Sequence, residues 1–272
     1  MRTEMPELPE VETIRRGLEK RILGKKVKRV EINTAKMVKE PSPKGFKEEV
    51  EGKIFKDVIR RGKYLILVLS SGKKIVVHLR MAGQLIYGKR DAKNRVSFLL
   101  SDGKHLNLND RRHLGEIRLV ENWEKAPGIA KIGMEPLEEN FTLKVFGEML
   151  SKKKAKIKAL LMAQEFLAGI GNVYAQEALF KAGIHPERQA HRLKPDEVRS
   201  LFSEIKKVLW EAIDYRGSSL SSYVDAEGRR GSFHSRLRVY GRRGEPCVKC
   251  KTQLKFIKLA GRGTNFCPRC QK

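Results

Sequence analysis

Cysteine is absent until Cys247 of a 272-residue chain, so no disulfide framework holds its bulk together and its order has to come from packed cores. Acidic side chains are scarce as well: 32 Asp and Glu stand against 58 Lys and Arg, a formal charge of +26. Such a surplus calls for a polyanionic partner, because each neutralised phosphate releases condensed counterions. Charge alone does not separate a nucleic-acid enzyme from a ribosomal protein or a protein of an anionic membrane surface. Long apolar runs are missing too, the longest being Tyr64 to Leu69, far short of the ~20 residues of a membrane helix. Residues 11–24 alternate polar and apolar and carry no secretory pattern. No internal repeat is present. The expectation is a soluble cytoplasmic protein with no membrane partner, long enough for two domains of ~100–150 residues.

What the chain does contain begins at Met5-Pro6-Glu7-Leu8-Pro9-Glu10-Val11-Glu12. If Met5 is the translation start and is removed, Pro6 becomes a free secondary amine beside the Glu7 carboxylate, a nucleophile next to an acid/base. Such an amine attacks an electrophilic sugar carbon and forms an iminium while the carboxylate moves protons. The same prolines serve equally well as breakers ahead of a helix. Met1-Arg2-Thr3-Glu4 would make the Pro6 nitrogen a tertiary amide without a nucleophilic lone pair. The expected working chain therefore starts at Pro6, with residues 1–5 a misassigned start or a removed leader. Val11, Ile14, Leu18 and Ile22 recur at helical spacing, which predicts a helix over 9–24 stopped by Gly24. The positive end of its dipole disfavours a protonated amine and attracts phosphate.

From residue 27 to about 120 the chain turns to short β-branched runs. Residues 64–69 and 74–79 flank Ser70-Ser71-Gly72, residues 96–100 and 105–109 flank Ser101-Asp102-Gly103, and 116–120 forms a further strand. Two hairpins behind one helix predict a β-sandwich or flattened barrel. Residues 122–140, with Pro127, Gly128, Gly133 and Pro136, read as a linker, and helical patterns follow over 142–150, 155–167, 172–182 and 195–214. Gly169-Ile170-Gly171-Asn172 joins two helices through a turn whose amides and Asn172 side chain either clasp a phosphate or simply cap a helix. The polar loop 216–231 is either a functional lid or a plain connection. The tail carries Cys247-Val-Lys-Cys250 and Cys267-Pro-Arg-Cys270, the spacing of a closed four-thiolate structural zinc site, with a redox dithiol as the alternative. Between the pairs, a hairpin tip holds Arg262 as a phosphate-binding candidate.

Together these segments resemble the bacterial formamidopyrimidine-DNA glycosylase family. The resemblance runs from Met5 to Lys272 through Pro6-Glu-Leu-Pro-Glu-Val-Glu12, Arg60-Arg-Gly-Lys-Tyr-Leu65, His78-Leu-Arg-Met81, Gly169-Ile-Gly-Asn-Val-Tyr174, Gly183-Ile-His-Pro186, Val239-Tyr-Gly-Arg242 and the four-cysteine tail. It implies an α+β fold: an N-terminal helix plus β-sandwich over 6–121, the linker 122–140, a helix-two-turns-helix domain over 141–236 with a lesion lid at 216–231, and a zinc finger over 237–272. It implies a monomeric, nucleoid-associated repair enzyme for double-stranded DNA containing 8-oxoguanine or formamidopyrimidine, with one structural zinc and no organic cofactor. By resemblance, Pro6 is the nucleophile, Glu7 the proton donor, Lys63 a phosphate-binding lysine with a role in β-elimination, and Arg262 a phosphate grip linked to δ-elimination. Asn172 and Lys154 are DNA-backbone contacts; Met81 and Arg112 fill the vacated stack, the arginine pairing with the orphaned cytosine. Lys93 stands near a position where the family often uses a histidine on DNA. Leu114 replaces a customary phenylalanine, giving up base stacking worth ~1–3 kcal/mol. An endonuclease VIII-type pyrimidine glycosylase is the alternative within the fold, disfavoured by Leu8 where that type usually has glycine. A damaged-DNA binder without catalysis follows if the chain keeps Met1, and a zinc-ribbon protein of structured RNA is a third reading.

Overall fold

The first helix spans Leu8–Ile22 (α1) in the computed structural model, which describes residues 5–272. The segment Met1–Glu4, on which the start-site expectation turns, lies outside the described residues. Pro9 sits in the first turn, where its missing N–H is no loss, and the Glu10 carboxylate reaches back to the Glu7 backbone N–H at 2.9 Å. Val11, Ile14, Leu18 and Ile22 are all within 1% of full burial, so the predicted stripe is the buried face. Lys20 and Arg21 occupy the last turn, where cations suit the dipole.

The chain then builds strands and one short helix: Val27–Ile32 (β1), Val38–Glu40 (β2), Pro43–Val50 (α2), Phe55–Arg61 (β3), Tyr64–Leu69 (β4), Lys74–His78 (β5), Gly83–Gly88 (β6), Asn94–Leu100 (β7), His105–Asp110 (β8) and Glu116–Val120 (β9). They form a four-stranded sheet in the order β1-β7-β8-β6 and a five-stranded sheet in the order β2-β9-β5-β4-β3. Both expected hairpins are present, β4 with β5 and β7 with β8. Val58, Leu65, Leu67 and Val77 from one sheet share a core with Val96, Phe98, Leu106 and Leu108 from the other. Phe55 meets Phe98 edge to face at 6.4 Å, joining the two sheets.

The described residues up to Ala130 cluster with Ile213–His234, so the loop 216–231 belongs to the sandwich unit. Three contacts explain this. Ser218 donates its backbone N–H to Glu10 at 2.8 Å, and Tyr87 donates to the Ala226 carbonyl at 2.8 Å. Asp225 accepts the Glu227 and Arg229 N–H groups at 2.9 Å each, folding a tight turn whose Ala226 lies against Gly17 of α1. The two arms of the loop run side by side through a Ser218 to Ser232 bridge, leaving Leu220 at an exposed tip.

Lys131–Ala212 and Ser235–Lys272 form the second unit, with helices Leu143–Ser151 (α3), Ile157–Met162 (α4), Asn172–Ala182 (α5) and Pro195–Asp214 (α6), the last two residues of α6 falling in the first unit. The helix expected over 155–167 stops at Met162. Gln164 takes over the backbone groups there, donating to the Met162 and Ile170 carbonyls at 2.9 and 2.7 Å and accepting the Gly169 N–H at 2.9 Å. A side chain that mimics peptide hydrogen bonds makes the turn, and no apolar periodicity announces it. α5 ends at Gly183 in the left-handed region (φ 75), whose N–H closes on the Phe180 carbonyl. The unit finishes in a hairpin of Lys255–Leu259 (β10) and Arg262–Phe266 (β11).

A methyl group on Gly17 would sit 2.8 Å from the Ala226 Cβ, inside van der Waals contact. Gly17→Ala is expected to destabilise the first unit by about 1–3 kcal/mol, the usual cost of overpacking, measured by chemical denaturation. A wild-type midpoint would show that the loop does not need this approach.

Candidate active site

In the first unit the site begins at the head of α1. Pro6 and Glu7 are buried, and the Glu7 backbone starts the helix. Glu10, 3% exposed, divides its two oxygens: Oε2 accepts from the Glu7 N–H and Oε1 from the Ser218 N–H at 2.8 Å. Gly217 (φ +76) lets the loop come this close, since a Cβ there would lie 2.8 Å from Glu10 Oε1. The buried Tyr223 hydroxyl donates to the Arg216 carbonyl at 3.1 Å, and its burial pushes its pKa well up, so it stays a neutral donor. Sequence reading passed over Glu10. Its signal was the spacing of three from Glu7, which marks a capping pair.

Two residues along, Glu12 gathers three arginines: Arg15 Nε at 3.1 Å, Arg16 Nε at 2.8 Å and Arg60 Nε at 3.1 Å. Burial alone would raise its pKa, but the hydrogen bond from Arg16 and the charges of Arg15 and Arg60 outweigh it and hold the carboxyl low. Arg60 belongs to β3, so this pairing ties α1 to the strand leading to Lys63. Lys63 sits in the two-residue turn from β3 to β4, where Arg61 pairs with Tyr64.

Met81 and Arg112 stand on neighbouring loops, β5 to β6 and β8 to β9, with Arg112 Nη1 3.6 Å from the Met81 sulfur. Leu114, on the same loop as Arg112, is 42% exposed. Lys93 is exposed in the turn from β6 to β7, its backbone held by Asp91 at 2.8 Å.

The second unit supplies a separate cluster. Asn172 opens α5, and its Oδ1 accepts from Lys158 Nζ at 2.7 Å and from Gln176 Nε2 at 3.0 Å. Lys158 also reaches Thr264 Oγ1 at 2.8 Å, and Gln176 spans to the Gly263 carbonyl and the Asn265 N–H. The head of α5 is thus latched to β11, whose first residue is Arg262. Ala260 (φ 48) and Gly261 (φ 71) make a tight two-residue turn with Arg262 exposed beside it. The lysine brought to Asn172 is Lys158, while Lys154 lies exposed between α3 and α4. Lys158 was missed because a lysine on an otherwise apolar helix face reads as a surface residue.

The four cysteine sulfurs lie within 4.8 Å of one another, with Cys247 to Cys270 at 3.9 Å and Cys250 to Cys267 at 3.4 Å. A tetrahedron with Zn–S bonds of ~2.3 Å has edges of ~3.8 Å, so the donor set fits one zinc ion. The crowded thiols oppose joint ionisation. Burial and the neighbouring sulfurs push Cys270 up to about 12, while the Thr252 hydrogen bond draws Cys250 down to about 6. A divalent cation removes that conflict, and with four thiolates bound no coordination position is left for substrate. Glu177 secures the approach to the finger, accepting the Arg238, Val239 and Tyr240 N–H groups at 2.8 to 3.0 Å.

His78 is 6% exposed, and burial, with the charges of Arg80 and Lys63, lowers its pKa from 6.5 to about 3. The unfolded chain therefore takes up a proton below pH 6.5 that the folded chain refuses until about pH 3. Stability falls as pH drops through that window, by up to about 1.4 kcal/mol per pH unit from this group, and is unaffected by it above. His78→Asn is expected to make the acid limb of the denaturation midpoint shallower; an unchanged slope would contradict a neutral buried imidazole.

Three family models match the chain: the formamidopyrimidine-DNA glycosylase N-terminal domain over 5–117, its H2TH domain over 132–224, and the zinc finger found in FPG and IleRS over 244–272. A formamidopyrimidine-DNA glycosylase of Symbiobacterium thermophilum is 44% identical over 98% of this chain and 89% of its own length. That of Heliobacterium modesticaldum is 43% identical over 98% of this chain and all of its own. Among solved structures, a Lactococcus lactis FPG variant in complex with Fapy-dG-containing DNA superposes with a TM-score of 0.90 at 38% identity, covering 98% of this chain and 100% of that one. MutM in complex with DNA containing carbocyclic 8-oxo-G gives 0.89 at 40% identity, with the same coverage. Matched by its models in three successive segments and by relatives over nearly its whole length, the chain belongs to the formamidopyrimidine-DNA glycosylase family.

Proposed function

We propose that the chain removes oxidised purines from double-stranded DNA and then cleaves the strand, with Pro6 as nucleophile and Glu7 as proton donor. It is a base-excision repair glycosylase and abasic-site lyase. The observation that carries the assignment of residues is the buried corner in which Glu10 braces Glu7 from one side and the loop 216–231 from the other. A free Pro6 nitrogen attacks C1′ of the lesion nucleotide; the bond to the base breaks, and the electrons leave with the base, which takes up a proton. Glu7 assists by protonating the sugar oxygen as the ring opens to the iminium. Loss of a C2′ proton expels the 3′ phosphate, and a second elimination expels the 5′ phosphate. Lys63 and Arg262 bind those phosphates and assist the two eliminations. Asn172, positioned by the buried Lys158, holds the DNA backbone, and Lys154 and Lys93 add exposed positive charge to that grip. Met81 and Arg112 enter the stack when the base leaves it, and the loop 216–231 covers the everted purine. The protein acts as a monomer in the cytoplasm, at the nucleoid. Among the described residues no helix is long and apolar enough to cross a membrane.

The chemistry requires that Pro6 be N-terminal in the active form. Intact-mass analysis of protein made from the native gene is expected to give a chain beginning at Pro6, and borohydride is expected to trap it on a duplex with 8-oxoguanine opposite cytosine. Glu7→Gln should nearly abolish base excision, and Pro6→Gly should sharply weaken the trapped adduct. A chain retaining Met1 with no adduct would leave only damaged-DNA binding, and preferential trapping on thymine glycol would establish the pyrimidine-directed reading. Cys250→Ser is expected to lose the one equivalent of zinc and to weaken binding to an abasic-analogue duplex, with the first unit still folded. Unchanged binding would remove Arg262 and its hairpin from the interface.

A further inference from the structure

The loops carrying Met81 and Arg112 share one construction. Both cross between the sheets: β5 and β9 belong to the five-stranded sheet, β6 and β8 to the four-stranded one. Their ends are paired, His78 with Glu116 on one side and Gly83 with Asp110 on the other. Each is organised by one buried polar side chain. In the first loop, His78 Nδ1 accepts the Arg80 N–H at 3.0 Å, with Arg80 in the left-handed region (φ 52). An arginine adopts that conformation only when its surroundings hold it there. The Gly83 N–H closes the loop on the Leu79 carbonyl at 2.9 Å, and Arg80 Nη2 reaches Glu116 at 2.8 Å. Met81 follows directly, partly exposed.

In the second loop, Asp110, 1% exposed, uses both oxygens. Oδ1 accepts the Arg112 N–H at 2.8 Å, and Oδ2 accepts the Leu114 and Gly115 N–H groups at 2.7 and 2.6 Å. His113 lies between them in the left-handed region (φ 55). The turn is wound around one carboxylate, leaving the Arg112 and Leu114 side chains exposed. The contact from Arg112 to the Met81 sulfur then joins the two loops at their outer edge.

We propose that His78 and Asp110 are positioning residues that hold Met81, Arg112 and Leu114 as one insertion element, and that they act on eversion of the lesion from the paired stack and not on the bond cleavage that follows. The inference rests on the reading that Met81 and Arg112 enter the stack. The acceptor atoms the inference uses, His78 Nδ1 and both Asp110 carboxylate oxygens, are engaged by backbone N–H groups, and both residues are buried. The need for a rigid insertion element is greatest when a paired base has to be displaced, and it falls when the lesion has no partner. An element with one anchor removed samples orientations in which the side chains miss the gap, so the loss appears as a rate difference between those two substrates.

The test is the ratio of single-turnover excision rates for 8-oxoguanine opposite cytosine and for the same strand with the lesion opposite a tetrahydrofuran abasic analogue. His78→Leu removes the acceptor and is expected to lower that ratio about tenfold, the scale of one lost buried hydrogen bond. His78→Asn places an amide oxygen close to the position of Nδ1 and is expected to restore the ratio to within about threefold of the parent. Asp110→Asn keeps the shape but sets an NH₂ against at least one backbone N–H in either orientation, and is expected to lower the ratio about tenfold. Equal slowing of both substrates, or a His78→Asn chain indistinguishable from His78→Leu, would overturn the proposal. Should His78→Leu fail to fold, Asp110→Asn decides by the same ratio. Met81→Ala separates the two layers of inference. A parental ratio in that variant would refute stack entry by Met81 itself, whereas a lowered ratio there with parental ratios in both anchor variants would refute the anchoring alone.

Discussion

The placing of the head of α1 against the loop 216–231 depends on the Glu10 carboxylate. It is buried, it starts the helix through the Glu7 N–H, and it receives the loop through the Ser218 N–H. One side chain therefore sets both the direction in which Pro6 and Glu7 are presented and the distance of the loop from them. Gly217 and Gly17 follow from this constraint, since the loop approaches α1 at both points too closely for a Cβ. The Asp225 turn follows as well, because it returns the chain to the helix and lets Ala226 bond to β6 through Tyr87. A buried carboxylate left without donors would cost several kcal/mol, so the loop and the helix head order each other.

The second unit uses the same device in other places. Glu177 gathers three successive N–H groups at the entrance to the finger, and Glu197 reaches back to the Lys194 N–H at the head of α6. Gln164 and Gln176 do similar work with neutral amides. In each case a short polar side chain stands in for a peptide group where regular structure ends, which is where functional residues are presented.

That device also marks the limit of what the residues disclosed in advance. The core of the sandwich was legible because Val11, Ile14, Leu18 and Ile22, and the two apolar hairpins, carry helix and strand periods undiluted by charge. The strands β1 and β3 and the short helix α2 were not, since the outward positions of Val27–Ile32 and Phe55–Arg61 are filled with Lys, Arg and Asp that break the alternation. The chemical candidates Pro6, Glu7, Arg262 and the cysteines stood out through motif spacing. Glu10, His78, Asp110 and Lys158 did not, because their work is to accept or donate one or two hydrogen bonds inside a turn. A sequence shows the type of such a residue and not the N–H groups that converge on it.

The use of acids as buried acceptors bears on how a chain with +26 net charge meets DNA. Glu7, Glu10, Glu12, Asp110, Glu135, Glu177 and Asp225 are buried, whereas Lys158 is the buried lysine among the described residues. Withdrawing these carboxylates from the surface leaves the exposed side chains richer in lysine and arginine than the composition as a whole. Arginines that surround a carboxylate, as at Glu12, are partly neutralised and serve packing. Arginines standing on turns, such as Arg112 and Arg262, are exposed. The division separates two tasks that a basic surface otherwise confuses: binding phosphate, which any exposed cation does, and fixing the course of α1 and of the loops around it, which needs groups removed from solvent and salt. Ionic strength therefore acts on the exposed cations, while the carboxylates of Glu10 and Asp110, buried against backbone N–H groups, keep their geometry apart from it.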